Sequence, residues 1–149
     1  MVDRSFVDDL VNMRTPFLIP LLVLVSATLS LAGPKHKFND ISAALEKAKT
    51  ENKILFLQFG REACGNCQEL RKMISKNEIE LPSSKFVYAD VDCDDKAATK
   101  IFRQKFHVIG TTLPFVIVAS PDGTQLAART GYGSASEFQK LIKEAAARK

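Results

Sequence analysis

The chain's 149 residues are enough for one compact domain and leave little room for two independent cores. Apolar residues make up 46% and charged residues 26%, as in ordinary globular proteins, which excludes a disordered or collagen-like chain. The net charge of +4 is small and scattered, so we expect no nucleic-acid binding. Three cysteines are too few for a disulfide-stapled mini-protein, so any cysteine chemistry must involve one pair and one additional thiol.

An apolar segment near the start of the chain has the pattern of a targeting sequence. Residues 16–32 read PFLIPLLVLVSATLSLA, and small residues at Ser30 and Ala32 precede Gly33. This pattern is typical of a signal peptide cleaved after Ala32. The stretch is short and interrupted for a membrane-spanning helix, which needs about 20 apolar residues, so an uncleaved anchor is the alternative. We therefore expect export to a periplasm or to the outside of the cell, with no stable membrane anchor after cleavage.

The acidic start of the chain does not fit a signal peptide, which begins with positive charge. Three aspartates but only one arginine precede Met13, and Arg14 follows it. We therefore hypothesise that Met13 is the initiator and that residues 1–12 are an extension. The predicted organisation is an N-terminal extension and signal peptide over residues 1–32, followed by one domain over residues 33–149.

Hydrophobic periodicity predicts eight elements in this domain, in the order helix, strand, helix, strand, helix, strand, strand, helix. A capping box opens the last helix. Alternation followed by a hairpin predicts an α/β fold, with a mixed central sheet covered by helices on both faces. The expected elements are a helix at 40–52, a strand at 54–59, a helix from near Cys64, a strand at 86–91, a helix opened by Asp94, strands at 114–119 and 125–130, and a helix opened by Ser134–Glu137.

Two cysteines lie between the first predicted strand and the helix that follows it, in the sequence Cys64-Gly65-Asn66-Cys67. The free N–H groups and the dipole at a helix N-terminus favour an anion, so they stabilise the thiolate of the first cysteine. Cys64 is therefore the expected nucleophile. A spacing of three residues places Cys67 one turn further in, where it resolves the mixed disulfide, and the pair cycles between dithiol and disulfide.

This strand–CxxC–helix unit resembles the thioredoxin superfamily, and in particular its exported thioredoxin-like oxidoreductases. The resemblance also rests on Leu113-Pro114 before a strand and on Gly131-Tyr132 before the last helix. The resemblance covers almost everything after Gly33. It implies a thioredoxin-like fold in which Pro114 has a cis peptide bond and lies against the cysteine pair. It further implies that the backbone of Leu113 pairs with the substrate chain, so Leu113 and Pro114 are the expected substrate-binding residues.

Several positions depart from the pattern of thioredoxin itself. Ala63 stands where thioredoxin has Trp, Gly65-Asn66 replaces Gly-Pro, and Gln58 occupies the position of a buried Asp. Without that carboxylate, proton transfer to and from Cys67 needs water or another group such as Glu62. These differences argue against an ordinary cytosolic thioredoxin and leave the dithiol chemistry intact.

The sequence therefore predicts an exported protein thiol–disulfide oxidoreductase with Cys64 and Cys67 as catalytic residues. Gly65-Asn66 supplies no cation to stabilise the Cys64 thiolate beyond the helix terminus and Arg61, which favours a reductase or isomerase over a strong oxidant. The expected partners are protein thiols and disulfides and a redox protein that recharges the pair. We expect a monomer without cofactor or metal.

Two alternatives belong to other functional classes. The first is a redox-silent module that binds chains around Pro114. The second is a zinc site made of Cys64, Cys67, Cys93 and either His36 or His107, although neither histidine has a partner at ligand spacing.

Four other residues have structural interpretations. Cys93 reads as a half-buried spare thiol at a strand end, and His107 as a packed or surface histidine. We expect His36 to be solvated and Tyr132 to cover the core.

Overall fold

The computed structural model describes residues 36–148. All eight expected elements are present in the expected order, with ends that differ by one or two residues. The signal segment, the proposed start at Met13 and the boundary after Ala32 lie outside the described residues and stay predictions. Among the described helices, none is long and apolar enough to cross a membrane. The elements are α1 (Ile41–Thr50), β1 (Ile54–Gly60), α2 (Gly65–Ser75), β2 (Phe86–Asp92), α3 (Lys96–Lys105), β3 (Phe115–Ala119), β4 (Gln125–Thr130) and α4 (Ala135–Ala146).

The four strands form a mixed sheet in the order β2-β1-β3-β4. β1 runs parallel to β2 and antiparallel to β3, and β3 pairs antiparallel with β4. Side chains alternate across a strand, so the fully buried β1 supplies both faces of the sheet. Leu55, Leu57 and Phe59 pack in the core under α1 and α3, whereas Ile54 and Phe56 pack in the core under α2 and α4. The predicted α/β architecture with helices on both faces is confirmed.

The N-terminus of α3 corrects one expectation. Asp95, not Asp94, caps this helix and accepts hydrogen bonds from the N–H groups of Ala97 and Ala98 at 2.8 and 3.2 Å. Asp94 lies one residue before this cap, and its carboxylate is 3.1 Å from the guanidinium of Arg61. Asp94 and Asp95 have the same capping chemistry. The helix begins after Asp95, and this start places Ala98 on its buried side.

The capping box predicted for α4 is present. The Ser134 hydroxyl accepts from the Glu137 N–H at 3.3 Å, and the Glu137 carboxylate accepts from the Ser134 N–H at 2.7 Å. Arg129 lies 3.1 Å from the same carboxylate. The hydrogen bonds from Ser134, together with Arg129, lower the pKa of Glu137 to about 2.

The pKa of Glu137 predicts an acid-sensitive contribution to stability. A carboxyl group with a lowered pKa in the folded state stabilises the fold above its unfolded pKa, and this contribution is lost as pH falls towards about 2. Glu137→Gln should therefore lower the urea midpoint of unfolding near pH 6 and have little effect near pH 2. Glu144→Gln, on the exposed side of the same helix, is the control. A Glu137→Gln difference that is independent of pH would contradict this assignment.

Candidate active site

The two cysteines of the CxxC motif lie at the junction between β1 and α2. Cys64 is the N-cap of α2, and it forms a disulfide with Cys67 in which the Cα atoms are 5.2 Å apart. Cys64 is half-buried and Cys67 is fully buried. Approach from solvent is therefore easier to the first sulfur than to the second.

The first turn of α2 supplies a hydrogen-bond donor to the outer sulfur. The backbone N–H of Cys67 points at Cys64 Sγ over 3.2 Å, as in an ordinary side-chain cap. The unpaired N–H groups and the dipole of a helix N-terminus stabilise negative charge. A thiolate formed on Cys64 by reduction keeps this donor, which lowers its free energy relative to the thiol.

The loop before β3 lies against the cysteine pair. The Leu113–Pro114 peptide bond is cis, as the resemblance implied. Asn66 Nδ2 donates to the Leu113 carbonyl at 3.3 Å, and the Gly131 N–H donates to the Pro114 carbonyl at 3.0 Å. The motif and the proline loop, 47 residues apart in sequence, therefore meet at one end of the sheet.

Gly60, the last residue of β1, allows this close approach. A Cβ at this position would lie 2.5 Å from Cys67 Sγ and 3.9 Å from Pro114 Cβ. The first distance is too short for any real contact, so the strand passes beneath the inner sulfur only because residue 60 has no side chain.

Gln58 lies directly below the start of α2 and is fully buried. Its Nε2 donates to the Cys67 carbonyl at 3.0 Å, and its Oε1 accepts from the Tyr88 hydroxyl at 3.3 Å. Burial raises the pKa of Tyr88, so this hydroxyl stays a donor. An amide accepts no proton at ordinary pH, so Gln58 supports the helix turn but is no base for Cys67. The carboxylate of Glu62 accepts from the His36 N–H at 3.1 Å.

A buried carboxylate that the sequence analysis missed lies beside Gln58. Asp90 of β2 aligns with Gln58 in the parallel register, and its side chain is 3% exposed. Its Oδ2 accepts from Arg71 Nε and lies 2.7 Å from His36 Nε2, whereas its Oδ1 has no hydrogen-bond partner within residues 36–148. His36 is exposed, as expected, but its ring also contacts Asp90, which the sequence did not predict. An aspartate inside the apolar run 86–91 was the available signal.

The zinc set considered from the sequence is not assembled. Cys64 and Cys67 are bonded to each other and His36 contacts Asp90. Within residues 36–148, only one group of three possible metal ligands has its donor atoms within 4.8 Å of one another. It consists of Asp92, Cys93 and Asp94.

The spare thiol and the second histidine lie where expected. Cys93 is a half-buried free thiol just after β2, and its backbone N–H donates to the Gly60 carbonyl at 2.7 Å. His107 is exposed, with its backbone N–H donating to Gln125.

Tyr132 does not cover the core, contrary to expectation. Its side chain is 61% exposed, and the preceding Gly131 has a φ of +77°. The guanidinium of Arg129 lies 5.4 Å from the centre of the buried Phe138 ring and covers the core there instead.

The contact between Gly60 and Cys67 predicts a steric effect of substitution. Gly60→Ala should destabilise the oxidised protein by about 1–3 kcal/mol, the usual cost of overpacking a tight site, measured by urea unfolding. Gly65→Ala is the matched control, because a Cβ there meets no described residue within 4 Å and helix propensity favours alanine. Equal stability of Gly60→Ala and wild type would contradict the packing described here.

Comparisons with known proteins agree with this architecture. A thioredoxin-like domain model matches residues 41–146. A search of curated proteins found no match. Among solved structures, thioredoxin of Fasciola hepatica is 24% identical with a TM-score of 0.52, covering 68% of this chain and 91% of its own. Oxidised thioredoxin of Plasmodium falciparum is 20% identical with a TM-score of 0.51, covering 70% and 91%.

At these identities the solved structures show the fold alone. The domain model, however, spans more than half of the chain and includes the strand, the CxxC turn, the cis-proline loop and the last helix. The protein therefore belongs to the thioredoxin-like family and has the disulfide-forming CxxC pair that, in this fold, generally supports thiol–disulfide oxidoreductase chemistry.

Proposed function

We propose that this protein is an exported oxidoreductase that exchanges disulfides with protein substrates through Cys64 and Cys67. The observation that carries the proposal is the unequal burial of the two sulfurs at a helix N-terminus. Cys64 is accessible and has a donor for its thiolate, whereas Cys67 is enclosed directly behind it. This arrangement suits a nucleophile and a resolving thiol.

In the reducing direction, the Cys64 thiolate attacks one sulfur of a substrate disulfide. A bond forms between Cys64 Sγ and that sulfur, and the other substrate sulfur leaves as a thiolate and takes up a proton. Cys67 then loses its proton and attacks Cys64 Sγ. The Cys64–Cys67 disulfide forms, the second substrate sulfur leaves, and two electrons have passed to the substrate. Starting from the oxidised pair, the same steps run in reverse.

The loop before β3 is our proposed contact for the substrate chain. β3 begins at Phe115, so Leu113 lies outside the ladder that joins β3 to β1. Leu113 is half-buried, and its carbonyl accepts the hydrogen bond from Asn66 of the motif. An extended peptide at this position can pair with the Leu113 backbone, as in strand addition, and so present its disulfide to Cys64 while Pro114 packs behind.

The charges around the motif support a moderately reducing pair. Residues between the cysteines carry no charge, and the nearby Arg61 guanidinium already pairs with Asp94 at 3.1 Å. Little beyond the helix terminus therefore stabilises the Cys64 thiolate, which favours reduction or isomerisation over strong oxidation. The apolar segment 16–32 supports export and a substrate pool of secreted proteins. A redox partner must recharge the pair, and we propose that the protein acts as a monomer.

The proposal predicts catalysis of insulin reduction by the domain from Gly33 in the presence of dithiothreitol. Cys64→Ser should fall to the uncatalysed rate because the nucleophile is gone. Reduced Cys67→Ser, mixed with insulin after the dithiothreitol is removed, should form a mixed disulfide that mass spectrometry detects. Cys93→Ser, the matched control, should keep the wild-type rate because this thiol lies outside the pair. Equal rates for wild type and Cys64→Ser would instead favour a redox-silent binding module.

A further inference from the structure

We propose that the buried ion pair between Asp90 and Arg71 sets the redox equilibrium of the Cys64–Cys67 pair. In this proposal Asp90 is a positioning residue that acts through charge balance and not by touching sulfur. The inference rests on the thiol–disulfide exchange proposed above and names the residues that tune it.

Arg71 places a cation one helical turn from the inner cysteine. It follows Cys67 by four residues in α2, and residues at this spacing lie on the same face of a helix, with Cβ atoms roughly 5–6 Å apart. The Arg71 side chain is 14% exposed, and its Nε donates to Asp90 Oδ2. The guanidinium is thus held against Asp90 and is mostly shielded from solvent.

Asp90 of β2 places a negative charge beside the Arg71 guanidinium. Its register partner Gln58 donates to the Cys67 carbonyl, so the two β-residues lie beneath the turn that carries the disulfide. The surrounding face is apolar, with Leu70 and Met73 of α2 packed on it. Charges act strongly on one another in such surroundings because little water screens them.

Other charged groups around this ion pair are few among the described residues. His36 Nε2 lies 2.7 Å from Asp90, and the His36 backbone N–H donates to Glu62. The guanidinium of Arg71 also donates to the Arg61 carbonyl at 3.2 Å. Among the described residues, Asp90 Oδ1 is buried and has no hydrogen-bond partner, so Oδ2 makes both of the side-chain contacts described here.

The carboxylate and the guanidinium nearly cancel each other as seen from the cysteine pair, where Cys64 carries the thiolate after reduction. Reduction of the disulfide creates thiols, one of which ionises and adds negative charge. An unbalanced Arg71 would stabilise that charge and favour the dithiol. An unbalanced Asp90 would oppose it and favour the disulfide. Removal of the Asp90 charge and removal of the Arg71 charge therefore shift the redox equilibrium in opposite directions, although both changes break the same ion pair.

The test is the equilibrium of the pair with reduced and oxidised glutathione at pH 8. All proteins carry Cys93→Ser, so that only one pair of thiols reports. Asp90→Asn should shift the equilibrium constant towards the dithiol, and Arg71→Met towards the disulfide. Each shift should be roughly tenfold, the effect of one unit charge about 10 Å away at an effective dielectric constant of about 20. The double variant should return close to the parent.

A purely structural role gives a different pattern. Shifts in the same direction for Asp90→Asn and Arg71→Met, or no shift in either, would overturn the proposal. Lys72→Met is the control, because Lys72 is the next cation on α2 and its exposed side chain pairs with Glu69 on the helix surface. It should leave the equilibrium unchanged.

Arg71→Lys keeps the test decisive if Asp90→Asn does not fold. Arg71→Lys preserves the charge and should keep the parent equilibrium, whereas Arg71→Met should not. Equal shifts in these two variants would overturn the proposal. Failure of the proposed function is distinguishable, because it removes the insulin activity of the parent and leaves the opposite glutathione shifts in place.

Discussion

The hydrogen bond from the Cys67 N–H to Cys64 Sγ is the interaction on which the site depends. It makes the first cysteine the cap of α2, and so places one sulfur at the positive end of the helix. The same geometry buries the second sulfur behind the first. One local feature therefore separates the two thiols into an accessible nucleophile and a protected resolving group, which is the asymmetry that thiol–disulfide exchange requires.

The sheet holds this helix end in place and brings the other parts of the site to it. β1 ends in a glycine beneath the inner sulfur, and β3 begins just after the cis proline that lies beside it. β2, the parallel neighbour of β1, supplies Asp90 next to Gln58. The two cores on opposite faces of the sheet make these strands rigid, so the distances around the disulfide are set by packing throughout the domain.

Much of this arrangement could be predicted from the sequence because it is local. The apolar run of β1, the CxxC motif at a strand–helix junction and the capping box of α4 are short-range patterns. The ion pair below the helix is not. Arg71 and Asp90 are 19 residues apart, and His36 lies 54 residues from Asp90, so only the folded chain brings them together. Tyr132 was misassigned for a similar reason, because Arg129 occupies the surface over Phe138.

The most direct measurement is the order in which the thiols of the reduced protein react. The protein is reduced, treated with less than one equivalent of iodoacetamide, and digested with trypsin, which releases both motif cysteines in the peptide 62–71. Fragmentation of this peptide then locates the label. The account predicts label on Cys64 well ahead of Cys67, because one sulfur is accessible and stabilised as a thiolate while the other is enclosed. Equal labelling of the two sulfurs, or label first on Cys67, would contradict it.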